Sequence, residues 1–252
     1  MLIQSSGKRK GRKPVRRRFS RGSMPAMALA LLLILNLAAC AKVSTGLKVL
    51  THRPSGDPTA IHAGRYESDP DHRFLILEVD HLGFSRVPAR FENWCAILDI
   101  DPQSPERTLV QAEIATASLT TGVPAIDARI HRLLNSERYP TIRFVSQKVE
   151  RTGPAEARLF GTVTMAGRSA PVAMRVVFNG GGRNPLTGRY TLGFSAIGRL
   201  DRSRWGLGKW RPAVGDRVDF RVEAEFVMSP SSDHATVGKG AGSRNRGEQE
   251  RR

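Results

Sequence analysis

From residue 74 to residue 228 the chain is a series of short apolar or alternating runs, each closed by a turn signal. Phe74–His81 opens as a solid apolar run and becomes alternating, as expected of a strand packed on both faces. Leu109–Ser118 alternates cleanly, with Val110, Ala112 and Ile114 on one face and Gln111 and Glu113 on the other. Residues 87–101 read as one long strand whose parity changes between Phe91 and Trp94, which suggests a bulge. Further strands are expected at 141–152, 157–167, 171–179, 189–200 and 217–228. The turns between them include Thr152-Gly153-Pro154, Ala166-Gly167, the glycine run 180–182, and Val214-Gly215-Asp216. One stretch breaks the pattern. Pro124–Asn135 places Ile126, Ile130, Leu133 and Leu134 at helical spacing, with Asp127 in the first turn and Tyr139-Pro140 as the stop. About eight antiparallel strands and one short α-helix describe an all-β closed barrel or a sandwich.

The first forty residues read as an address. Nine Lys/Arg and no acid precede the apolar run Ala26–Leu35, which is too short to span a bilayer. Leu37-Ala38-Ala39-Cys40 follows and resembles a bacterial lipobox, which implies cleavage before Cys40 and lipid on its thiol. An ordinary signal peptide with a chance cysteine is the bland alternative. A start at Met24 or Met27 would leave the signal intact, and Arg16-Arg17-Arg18-Phe19 also resembles a twin-arginine signal. Ala41 stands where an Asp would signal inner-membrane retention, so outer-membrane attachment is expected. The resulting division is a signal peptide over 1–39, a lipidated Cys40 with a tether to 63, a β-domain over 64–228 and a polar tail over 229–252.

This division redistributes the formal charge of +17. Residues 1–40 carry +9 and 229–252 carry +2, leaving +6 on the β-domain. That is mildly basic, and no Arg/Lys–aromatic interleaving marks a sheet face for nucleic acid, so no nucleic-acid partner is expected. With Cys40 lipidated, Cys95 has no partner, and it reads as a small buried hydrophobe. The six histidines show no zinc-type spacing, although His72 and His81 could meet across a sheet in a structural role. Gly180-Gly181-Gly182 opens no helix and reads as a mobile hairpin loop, not a phosphate cradle. No nucleophile elbow, P-loop or dinucleotide fingerprint is present, so no catalytic residue, metal or required cofactor is assigned.

A set of short motifs then adds a family. These are Gly64-Arg65-Tyr66, His72, His81-Leu82-Gly83-Phe84-Ser85 and Arg90-Phe91, then Ala117–Gly122 with Asp127. They continue with Tyr139–Ser146, Gly161–Gly167 with Ala170-Pro171-Val172, Gly193–Ala196, Asp201–Gly206 and Val214–Val218. Together they resemble the YceI-like family of bacterial polyisoprenoid-binding proteins over residues 64–228. His72-Arg73 and Arg202-Ser203-Arg204-Trp205-Gly206 depart from the family pattern, the second placing a base where an acid is usual. The resemblance implies a lipocalin-like antiparallel barrel with an elongated apolar interior that holds an isoprenoid chain, such as a quinone tail. By that parity Leu75, Leu77, Val79 and His81 face inward, joined by Val110, Ala112, Ile114, Ile142 and Phe144. Phe91, Trp94, Phe194 and Trp205 are expected at wider points or the mouth. The reading is therefore a non-catalytic periplasmic lipid carrier or store, anchored to the membrane through Cys40. A ligand-free structural or stress-related lipoprotein and an enzyme on the same scaffold stand as alternatives, and pairing of two barrels stays open.

Overall fold

The computed structural model describes residues 46 and 48–230. The signal segment, Cys40 and the tail beyond 230 lie outside the described residues. The elements run β1 (Gly64–His81), β2 (Ser85–Phe91), β3 (Trp94–Ile100), β4 (Leu109–Ala115) and β5 (Leu119–Thr120). They continue with α1 (Pro124–Leu134), β6 (Thr141–Arg151), β7 (Glu156–Met165), β8 (Arg168–Arg183), β9 (Tyr190–Asp201) and β10 (Val214–Met228). All pairings between them are antiparallel. Eight strands form a ring, β1-β3-β4-β6-β7-β8-β9-β10, closed by β10 pairing with β1. Closure leaves the eight ring strands paired on both sides, while β2 and the two-residue β5 extend from β1 beside the ring.

The expected strand over 87–101 is two. It breaks at Glu92-Asn93, so β1 pairs with β3 over Gly64–Glu67 and with β2 over Leu75–His81. The parity change marks a corner instead of a bulge. The bulge sits across from it in β1, where the register with β10 shifts between Ser68 and Arg73. Ser68 bridges that region by accepting the Ala96 amide at 2.9 Å.

Two other expectations are corrected. Gly180–Gly182 lie within β8 and pair with β9, and the hairpin turn comes later, at 184–189. Gly180 and Gly181 are needed because Pro54, Ile61 and Leu192 lie against them. Ser55 and Gly181 exchange both backbone hydrogen bonds, at 2.8 and 2.9 Å. A Cβ on Gly180 would stand 2.8 Å from Pro54, and one on Gly181 would stand 2.6 Å from Leu192. The stretch read as tether thus ends in a packed segment: Ile61 is buried, and His62 stacks on Tyr190 with ring centroids 3.9 Å apart. Val214-Gly215-Asp216 is the start of β10, not a turn.

α1 forms where its spacing placed it, with Pro124 in the first turn and Asn135 at φ 49° closing its C-terminus. Asp127 anchors its start. Its carboxylate accepts the Thr121 amide (2.7 Å), the Thr121 hydroxyl (2.6 Å) and the Thr120 hydroxyl (2.7 Å). These bonds hold the Asp127 carboxyl below the usual carboxylate range. Among the described residues, every ladder and every buried side chain lies between Ser55 and Ser229.

Inside the barrel, small residues sit beneath large rings. Gly161 leaves room for Phe144, and Gly198 for Phe220, its partner across the ladder. A Cβ on Gly161 would stand 2.5 Å from the Val145 carbonyl and 2.6 Å from Phe144 Cζ. Gly161→Ala is therefore expected to cost about 1–3 kcal/mol through overpacking. Gly182→Ala, with nothing within 4 Å of its Cβ, is expected to be near neutral. Thermal unfolding of the two variants checks the contrast.

Candidate functional site

The barrel encloses a cavity of about 450 Å³. Its wall follows from strand alternation. On β10, Val218, Phe220, Val222, Ala224 and Phe226 line it, while Asp219, Arg221 and Glu223 make ion pairs on the outer face. Leu75, Leu77 and Val79 do the same on β1, and Val110, Ala112 and Ile114 on β4. Ile142, Phe144, Phe91, Trp94 and Phe194 also stand in the wall. Eleven of the thirteen inward candidates thus line one space. Ile130, Leu133 and Leu134 of α1 close part of it.

The other two candidates lie elsewhere. His81 is exposed, at the last position of β1, where the register with β10 shifts after Val79. Trp205 is 1% exposed yet stands outside the wall, in the short 3₁₀ turn after β9, and its indole donates to the Val163 carbonyl at 3.0 Å. It plugs that end of the barrel and does not line a mouth. Cys95 is likewise corrected: it is exposed on the outer face of β3, between Trp94 and Ala96, which point inward. Alternation alone could have shown this, as it could have shown Leu159, Val163, Val172 and Met174, which complete the wall.

The polar wall residues divide between the two ends. Thr59, Thr108, Arg151 and Glu156 stand at the end where β1 starts. Glu78, Thr121 and Arg202 stand toward the end where β1 finishes. Between them the described wall is aliphatic and aromatic. Such a space offers burial and shape, with no acid, base or nucleophile at its centre.

Arg202 organises the second end. Its guanidinium donates to the carbonyls of Gly215 (2.8 Å), Val214 (2.8 Å), Lys209 (2.9 Å) and Leu207. Burial pulls its pKa below the ordinary arginine value, against the opposing field of Asp216. Asp216 in turn accepts the Ser203 amide (2.9 Å) and hydroxyl (2.6 Å). The base that departs from the family pattern, Arg204, is exposed beside this knot. Trp94 carries an unpartnered polar atom: its Nε1 is buried with no acceptor, alone in that among the described residues. On the outer wall Asp69, His72 and Glu225 bring one ligand atom each within 4.8 Å of one another. His72 therefore meets carboxylates, not the histidine partner considered for it.

The profile of the YceI-like domain matches residues 66–226. The chain belongs to the YceI-like family. It is 31% identical over 164 residues to a UPF0312 protein of Pseudomonas savastanoi, covering 64% of this chain and 84% of that one. Among solved structures, the YceI protein of Campylobacter jejuni superposes with a TM-score of 0.54 at 25% identity, covering 60% of this chain and 90% of that one. A polyisoprenoid-binding domain from Saccharophagus degradans superposes with a TM-score of 0.52 at 11% identity, covering 67% and 100%. That last likeness is one of fold.

In this YceI-like domain Arg202 holds the 206–213 loop to the barrel, helped by the Arg211–Asp216 ion pair at 3.3 Å and the buried Leu207. Arg202→Met would leave four carbonyls without their donor, at about 1–3 kcal/mol for each buried group left unsatisfied. A loss of roughly 3 kcal/mol or more in unfolding free energy is expected, with early proteolysis within 206–213. Denaturant unfolding and limited proteolysis check it.

Proposed function

We propose that the protein holds a long isoprenoid lipid, such as a polyprenyl quinone, within the barrel and carries or stores it without chemical change. The observation behind this reading is the cavity of about 450 Å³ with an aliphatic and aromatic mid-section. That volume falls within the roughly 300–1,000 Å³ of ordinary ligand pockets. Each CH₂ buried there returns about 0.8 kcal/mol and requires no charged partner. The family and the polyisoprenoid-binding neighbour support the same ligand class.

In this reading the protein works in the periplasm, where a free isoprenoid is insoluble, with Cys40 anchoring it to a membrane, the outer one by the Ala41 criterion. The polar ends of the cavity accommodate a head group, while the middle holds the chain.

Delipidated protein is expected to melt at lower temperature, and adding a polyprenyl quinone is expected to restore the transition. Ala112→Trp fills the cavity from the wall and should abolish that restoration while leaving the circular dichroism spectrum intact. Leu77→Glu, which sets a charge in the apolar mid-section, should do the same if it folds. A folded Ala112→Trp protein that is still stabilised by the quinone would place the ligand elsewhere.

A further inference from the structure

We infer that the end of the barrel formed by the β1–β2 turn and the 206–213 loop is a docking face for an anionic lipid bilayer. This rests on the lipid-carrier reading for its purpose but not for its evidence. Two neighbouring loops there expose three large apolar side chains: Leu82 (55%), Phe84 (88%) and Trp210 (38%). The loops are tied together by the Leu82 amide, which donates to the Ala213 carbonyl at 2.8 Å.

The exposure is built in. Leu82 and Trp210 sit at φ 56° and 69°, left-handed conformations that L-residues with a Cβ adopt at a cost. A turn selected only for solubility would carry Gly, Asn or Asp at such positions. Here the strain is spent on holding apolar groups out into solvent. Phe84 follows on the same turn, its amide donating to the His81 carbonyl at 3.0 Å.

The surroundings are basic. Segments 80–86 and 201–217 hold Arg86, Arg202, Arg204, Lys209, Arg211 and Arg217 against Asp80, Asp201 and Asp216, with Asp201 opposite Arg217 across the β9–β10 ladder. Arg202 is buried, Arg86 pairs with Glu78 and Asp219, and Arg211 pairs with Asp216. Arg204, Lys209 and Arg217 are exposed, with no carboxylate within 4.0 Å among the described residues. The Lys209 ammonium lies 5.3 Å from the Trp210 ring centroid. Apolar tips ringed by unpaired cations match the two layers of an anionic bilayer: acyl chains below, phosphates above. The cavity reaches this face, since Trp210 and Val214 also stand in its wall. A bilayer docked here meets the tube end-on.

The test uses the chain from Thr51 onward, which carries every described strand and α1, with its fold verified by circular dichroism. It is mixed with vesicles of phosphatidylethanolamine and phosphatidylglycerol, or of phosphatidylcholine alone, and sedimented. The barrel is expected to sediment with the anionic vesicles and to release with salt. Leu82→Asn with Phe84→Glu keeps a residue that tolerates the left-handed turn, and should weaken binding by about tenfold or more. Arg204→Glu with Lys209→Glu should do likewise with the apolar tip intact. No binding by the wild-type barrel, equal binding to phosphatidylcholine, or unchanged binding by the folded variants would each overturn the docking face. Lipid content is measured on the same samples, because Leu82 and Phe84 lie outside the cavity wall. Lipid retained without vesicle binding overturns docking alone. Vesicle binding by a barrel that takes up no isoprenoid overturns the carrier reading alone.

Discussion

Because β1 hydrogen-bonds to β10 from Tyr66 to His81, eight strands close on themselves, and each inward side chain faces others across the space between them. The closing pair joins the first strand of the domain to its last. Once closed, strand alternation sorts every side chain. Even-numbered residues of β10 from Val218 to Phe226 face the cavity, and the charged residues between them face water. The apolar tube is thus a direct result of alternation plus closure. Its width is tuned by glycines that let Phe144 and Phe220 lie flat against the wall.

The two ends are finished differently. At the end where β1 starts, residues 54–61 lie along the glycines of β8 and contribute Pro58 and Thr59 to the wall. At the other end α1, Trp205 and the Arg202 knot close the core, while Leu82, Phe84 and Trp210 are held outward. The second end therefore combines a buried arginine bonded to four carbonyls with three exposed apolar side chains on two adjoining loops. That pairing of a rigid base and an apolar tip is what a surface-docking device requires.

The barrel and most of its lining were legible because alternation survives in sequence. Leu75, Leu77 and Val79, like Val110, Ala112 and Ile114, could be placed from parity and then from family resemblance. Failures came where local chemistry was read without its tertiary neighbour. The run Gly180–Gly182 looks like a loop until Pro54 and Ile61 are seen to need the space above it. His81 continues the inward parity of β1, but the strand ends there and the register shifts. Trp205 is large and apolar like a wall residue, yet its indole finds the Val163 carbonyl from a 3₁₀ turn. Cys95 reads as buried by the usual habit of cysteine, whereas alternation between Trp94 and Ala96 points it outward.

The central claim is that the tube is filled by an isoprenoid chain in the cell. The most direct test is mass spectrometry of the organic extract from the protein purified out of its own membrane. The account predicts one isoprenoid species at close to one molecule per barrel. An extract empty of isoprenoid from folded protein, or one dominated by a non-isoprenoid ligand, would contradict it.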